Sequence, residues 1–288
     1  MSKNDWSLIS LLSSSIGQCQ SIEFMPLTST DDYIVYCHCE EQIYLCLNLF
    51  EIKSIVNQCY RMIFSDDFQE DRQLNILTRV LLCYVTECLT CWNIRRRLIS
   101  SRTIQLEDEL QFIDILLQLK PKSEQLFRYR RWILRQEKSI ENLSLDKELQ
   151  LCDRTAEKHF INYASWLHRR WLIDYFHVNI DEELHRNHLW LKKNISDSSG
   201  FSFRAYLLAK KPQLIEEEFH LNETMLKFYV DRESLWIYRQ TLLFFVFKYF
   251  PERKEEFLSK ERLFLEFIPE NVFSNRHQKL LTRFFSIE

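Results

Sequence analysis

Apolar residues along this chain recur three or four positions apart, in blocks of one to four turns separated by short polar segments. That period is helical. The blocks come in pairs. Leading blocks start on acids: Leu106-Glu107-Asp108-Glu109-Leu110, Asp146-Lys147-Glu148-Leu149, Asp181-Glu182-Glu183-Leu184 and Glu216-Glu217-Glu218-Phe219. Acids in a first turn complement the positive end of a helix, and Asp146 and Asp181 read as N-caps. Polar connectors such as Pro121-Lys122-Ser123 and Asp197-Ser198-Ser199-Gly200 lead into the second block. The pattern predicts a helix, a tight turn and an antiparallel helix, repeated.

The second block of each pair carries an aromatic residue and, three positions later, an arginine. The pairs are Trp92 with Arg95, Phe127 with Arg130, Trp166 with Arg169, Phe201 with Arg204, Trp236 with Arg239 and, more weakly, Phe273 with Arg276. Successive aromatic anchors are 35, 39, 35, 35 and 37 residues apart. A fixed period of this size marks a stack of supersecondary units. Residues three apart share a helix face. The aromatic therefore fills the groove between hairpins, and the arginine reaches an acid or free carbonyls on the next unit. Its planar fork suits that task better than lysine does. A hairpin cannot bury its apolar faces alone, but a stack can. The expected fold is all-α, a right-handed superhelical solenoid of about six hairpins over residues 71–288. Residues 1–70 lack the repeat and are expected to form an N-terminal cap within one overall domain. There, the stretch from Asp32 to Cys37 reads as a short extended segment and residues from about 40 to 63 as helical.

Composition removes several chemistries. The chain of 288 residues has two glycines, against roughly twenty at ordinary usage. Gly-rich phosphate loops and doubly wound nucleotide folds need more. A net charge of −3 argues against an obligate nucleic-acid binder. The local basic runs Arg95-Arg96-Arg97, Arg128 with Arg130-Arg131, and His168-Arg169-Arg170 fall on second helices and face acidic first helices. They read as a protein interface with charge complementarity. The nine cysteines are odd in number and irregularly spaced, and no signal peptide is apparent. Free buried thiols in a reducing cytoplasm are the expectation. The longest apolar run, Leu242 to Phe247, is too short to span a bilayer. Neither Cys88 and Cys91, nor Cys37-His38-Cys39 with Cys46, nor Glu182 with His185 and His188 matches a zinc spacing. No metal is expected on this chain.

The segment Tyr163-Ala164-Ser165-Trp166-Leu167-His168-Arg169-Arg170-Trp171, set in copies about 35 residues apart, resembles the repeat of protein prenyltransferase alpha subunits. The resemblance runs over about residues 75–288. Tetratricopeptide repeats, of similar length, need a Leu-Gly/Tyr/Ala set absent here. The resemblance implies a non-catalytic alpha subunit of a heterodimeric protein geranylgeranyltransferase of the type III kind. Its implied partner is the beta subunit of Rab geranylgeranyltransferase, and its implied substrate a SNARE-type protein. Geranylgeranyl diphosphate is the implied co-substrate, and the zinc is implied on the beta subunit. Lys122, five residues before the anchor Phe127, takes the place of the family's diphosphate-contacting lysine. Asn162 and Tyr163 match its Asn-Tyr before an anchor. Glu124 and Ala164 depart from the family's tyrosine and histidine. These departures favour the alternative, a solenoid adaptor without a transferase role.

Overall fold

The computed structural model describes residues 3–19, 21–25, 34–39, 42–48, 52–65, 70–136 and 144–285. The chain divides into two compact units, Met1–His159 and Phe160–Glu288.

The first unit opens with α1 (Lys3–Gln18), the strands β1 (Ser21–Met25), β2 (Ile34–Cys39) and β3 (Gln42–Asn48), and α2 (Ile52–Ile63). The strands form one sheet in the order β1-β3-β2, with β1 parallel and β2 antiparallel to β3. The extended segment expected near Asp32–Cys37 is thus real and starts at Ile34. The expectation of helix from about residue 40 is corrected: Gln42–Asn48 is the central strand, and helix begins at Ile52. The run Ile43-Tyr44-Leu45-Cys46-Leu47 is too short for a stable helix and rich in β-formers, and it has strand partners on both sides. The N-terminal region therefore adds a small sheet to an otherwise helical chain. It packs through α1 and α2 on α3 (Asp71–Tyr84).

Hairpins follow. α3 pairs with α4 (Leu89–Ser100) and α5 (Leu106–Leu119) with α6 (Glu124–Gln136), and α7 (Leu145–Lys158) packs on α5. The second unit holds α8 (Tyr163–Phe176), α9 (Ile180–Lys193), α10 (Ser198–Leu208), α11 (Ile215–Phe228), α12 (Glu233–Tyr249), α13 (Lys254–Phe267) and α14 (Val272–Phe285). Each even-numbered helix of this unit packs on the next even one, α8 on α10, α10 on α12 and α12 on α14. The second helices of this unit therefore form one layer, as the repeat requires.

Local signals explain the ends. α9 begins at Asn179, whose side chain accepts from the Asp181 amide at 2.9 Å, and it closes on Lys192 and Lys193. Asp181 therefore lies within the first turn rather than at the cap. Asp146 does the same in α7, where Ser144 holds the cap position. In both, the acids sit where they complement the helix dipole. Neither glycine takes a left-handed conformation; Arg102, Ile161 and His177 do. At Ile161 (φ 54°) the β-branched side chain makes that conformation costly. Replacing Ile161 by asparagine is expected to raise stability by about 1 kcal/mol, because asparagine tolerates this region. A thermal unfolding midpoint unchanged or lowered would contradict this.

Candidate functional site

Anchors Trp92, Phe127, Trp166, Phe201 and Trp236 are all at most 3% exposed. Burying one such ring contributes about 2–3 kcal/mol. The arginines three residues on are buried as well, and each meets a glutamate on the first helix of the following pair. Arg95 grips Glu109 with two N–H groups, one (Nε) at 2.7 Å. Arg130 reaches Glu148 at 2.7 and 2.6 Å, and Arg169 reaches Glu183 at 2.6 and 3.1 Å. Arg204 donates to both Glu218 oxygens at 2.8 Å, and Arg239 to those of Glu261 at 2.8 and 2.5 Å.

The remaining guanidinium nitrogen turns back to the first helix of its own hairpin. From Arg204 it meets the Leu184 carbonyl at 3.1 Å and Asn187 at 3.4 Å, and from Arg239 it meets Asn222 at 3.2 Å. Arg130 uses Asp114 and the Leu110 carbonyl, and Arg95 uses Asn75 and Thr78. One arginine thus ties together three helices. Burial by itself would lower the pKa of Arg204, but the Glu218 carboxylate outweighs it and holds the group above the ordinary value.

The acids at the helix starts therefore do more than complement dipoles. Glu109, Glu148, Glu183 and Glu218 are the buried acceptors of the repeat. The signal was present in sequence as a glutamate 14 residues after three of the arginines. It is obscured at Arg130 and Arg239, where longer connections make the spacing 18 and 22.

The sixth copy is corrected by one position. Arg276 is exposed, pairs with Glu233 at 3.2 Å and lies over the ring of Phe273, which is half-buried. The buried places belong to Ser274 and His277, and His277 Nε2 lies 2.9 Å from Glu261. Glu261 is thus shared by an arginine and a histidine.

The connector Asp197-Ser198-Ser199-Gly200 is a hub. Asp197 caps α10 through the amides of Ser199 (3.0 Å) and Gly200 (3.1 Å). Its other oxygen accepts from the indoles of Trp166 (3.3 Å) and Trp190 (3.0 Å). A side chain at Gly200 would come within 3.1 Å of both Asp197 and Leu191. This glycine serves close approach rather than a turn.

The basic runs are largely spent on the fold. Arg96 lies over the rings of Tyr129 and Trp132, each at 5.4 Å, and Arg170 over Tyr206 at 5.3 Å. Arg97 and Arg128 are exposed and paired with Asp71 and Glu124.

The residues matched to the diphosphate site are placed as follows. Lys122 is exposed in the turn before α6, at an open cleft of about 360 Å³ shared with Glu87, Lys120 and Ser123. Ser123 donates to Glu87 at 3.1 Å, whereas Lys122 makes no ion pair among the described residues. Asn162 is fully buried, and its side chain caps α8 by accepting from the Ser165 amide at 3.2 Å. That oxygen is occupied in holding the helix. Tyr163 is 54% exposed at the first position of α8, beside exposed Phe160 and Ile161. Glu124 meets Arg128 at 2.9 Å, and Ala164 is buried.

Among the described residues no group of three or more His, Cys, Asp or Glu side chains could hold a metal ion. Cys19, Cys59, Cys83, Cys91 and Cys152 are free and buried, and Cys88 is half-buried. Burial pushes the Cys19 thiol up to about 11 and that of Cys59 up to about 12, so neither is a ready nucleophile. The side chains of Cys37, His38, Cys39 and Cys46 lie outside the described residues. His185 is exposed and His188 half-buried; burial, then Arg204, holds the His188 imidazole below its usual pKa. No described helix is long and apolar enough to cross a membrane.

The sequence model of the protein prenyltransferase alpha subunit repeat matches residues 106–137 and 145–176, the stretch containing the Arg130–Glu148 lock. Those two stretches of the chain are similar to the protein prenyltransferase alpha subunit repeat. It is 30% identical over 156 residues to the human protein prenyltransferase alpha subunit repeat-containing protein 1, covering 46% of this chain and 39% of that protein. It is 29% identical over 155 residues to form 1-B of the same protein from Xenopus laevis, covering 46% and 36%. Similarity to the pig geranylgeranyl transferase type-2 subunit alpha is 28% over 153 residues, covering 50% and 26%. The matches thus span about two fifths or less of these relatives' own length. In fold, the chain is like a chain of Candida albicans protein geranylgeranyltransferase-I complexed with GGPP. That likeness has a TM-score of 0.63 at 22% identity and covers 88% of this chain and 87% of the other. The chain has the helical solenoid fold of prenyltransferase alpha subunits.

Proposed function

We propose that this chain is the non-catalytic alpha-type subunit of a heterodimeric protein geranylgeranyltransferase of the type III kind. Its partner is a beta subunit of the Rab geranylgeranyltransferase type, and the heterodimer transfers a geranylgeranyl group from geranylgeranyl diphosphate to a cysteine of a SNARE-type protein in the cytoplasm. The observation that carries this reading is the recurring lock of aromatic, arginine and glutamate, in a chain similar to the alpha subunit of a type-2 geranylgeranyl transferase. The described residues offer no metal cluster, and burial raises the thiols of Cys19 and Cys59. The reading assigns the zinc, the lipid tunnel and the bond-making step to the partner. Residues 1–70 cap the first hairpin in this view.

What this chain contributes is scaffold and charge. Lys122 is an exposed ammonium without a carboxylate partner among the described residues, suited to neutralising a diphosphate leaving group. Tyr163, exposed beside Phe160 and Ile161, is the second contact. Asn162 acts through its cap on α8, which sets the position of Tyr163. The adaptor reading draws on Glu124 and Ala164, which supply neither a hydroxyl nor an imidazole.

Co-expression with the beta subunit should give one complex on size exclusion and lipid transfer to a cysteine-bearing substrate. Complex without transfer would favour the adaptor, and no complex would sink the proposal. Lys122→Ala should leave the complex intact and lower turnover about tenfold to a hundredfold. Unchanged turnover would remove Lys122 from the chemistry.

A further inference from the structure

Most buried or half-buried arginines of this chain have acceptors. Arg79 on α3 does not. Its Nε is buried and meets no acceptor among the described residues, and the guanidinium has no carboxylate within ion-pair distance there. The group lies 5.5 Å over the ring of Phe112, whose other neighbour is the Arg95 guanidinium at 4.9 Å. Burial, and then the charge of Arg95, push the Arg79 pKa down. Glu109 and Asp108 act in the opposite sense without forming an ion pair with it, and a cation so placed is stabilised further by an anion that reaches it.

A cavity of about 180 Å³ opens beside it, between α1, α3 and α5. Its exposed lining is mainly polar: Ile16, Phe112 and Ile115 lie behind it almost fully buried, and Gln111 brings an amide to its edge. Gly17 makes the space. It lies in the last turn of α1 with ordinary helical backbone, where alanine would add about 1 kcal/mol of helix stability. A Cβ there would come within 2.8 Å of Arg79 Nη1. One of the chain's two glycines thus keeps a guanidinium accessible. Asp108 at the rim repels a second negative charge.

We propose that the cavity beside Gly17 is a binding site for a small carboxylate, which Arg79 holds. A planar guanidinium meets a planar carboxylate through two parallel N–H groups. The repulsion at Asp108 selects a monoanion over phosphate dianion.

The test uses the full chain and butyrate as the probe, with inorganic phosphate in a parallel arm. Butyrate should shift the Arg79 Nε–H resonance saturably, and phosphate should bind at least about tenfold more weakly. Gly17→Ala should keep the helical circular dichroism of the parent and weaken butyrate about tenfold or more, the worth of one hydrogen bond to a charged group. Arg79→Gln should abolish butyrate binding measured by calorimetry. No saturable shift, or equal affinity in Gly17→Ala and the parent, overturns the site. Phosphate binding as tightly as butyrate overturns the carboxylate assignment.

Discussion

Replacing Arg204 alone by methionine is expected to destabilise the second unit by about 3–5 kcal/mol, as for other buried ion pairs that lose one member. Arg204 and Glu218 are each about 5–6% exposed, and the arginine makes four hydrogen bonds to Glu218, Leu184 and Asn187. Methionine fills much of the same volume but leaves the Glu218 carboxylate buried without its cation. The Leu184 carbonyl and Asn187 amide lose a donor as well. Replacing Glu218 alone should cost a similar amount. Replacing both by methionine should restore most of the loss, because net stabilisation by a buried pair over apolar packing is small. Urea unfolding followed by circular dichroism measures all three. If the double variant were as unstable as the singles, the lock would be acting through shape rather than charge. The same experiment on Arg169 with Glu183 should give the same pattern, since that pair has the same fork and the same 14-residue separation.

The Asp197→Ala variant is expected to lose about 3–5 kcal/mol, combining a lost helix cap with two indole N–H groups left without their acceptor. All four donors converge on one carboxylate that is 2% exposed. Trp166 is also the anchor of its repeat, stacked on Phe203 at 4.9 Å and set edge-on to Trp190 at 5.5 Å. Loss of Asp197 should therefore free both indoles, and tryptophan emission should move to longer wavelength before global unfolding. Asp197→Asn separates the two roles. Its oxygen can still cap α10, but its NH2 group then faces the indole donors. Its cost should fall between those of the parent and of Asp197→Ala. A loss below about 1 kcal/mol for Asp197→Ala would show that the hub is only a cap.

The difference between these two features lies in how each is encoded. The arginine lock repeats, so an aromatic and an arginine three apart expose it in sequence wherever the hairpin keeps its length. The Asp197 hub occurs once, and nothing in the run Asp197-Ser198-Ser199-Gly200 says that two tryptophans 31 residues before and 7 residues before will meet there. Likewise, Asn162 reads as a site residue from its neighbours, but its oxygen is committed to the Ser165 amide. Lys122 and Tyr163 remain exposed, as a contact to a partner or ligand requires.

The sequence alone determined the helical repeat and its first five anchors, because a 3.6-residue period and a 35-residue period are both one-dimensional, and it left open whether an acid or free carbonyls answer each arginine. It also excluded glycine-built phosphate loops, since two glycines cannot supply them. Only the tertiary structure decided the rest. Longer connections displace Glu148 and Glu261 from the common spacing, yet packing brings them to the same place. In the last copy, burial selects Ser274 and His277 over the better-matching Phe273 and Arg276, because position on the helix face outranks residue type. Strand partners on both sides turn Gln42–Asn48 into a β-strand. Gly17, silent in sequence, acquires meaning only through the guanidinium of Arg79, brought against it by the packing of α1 on α3.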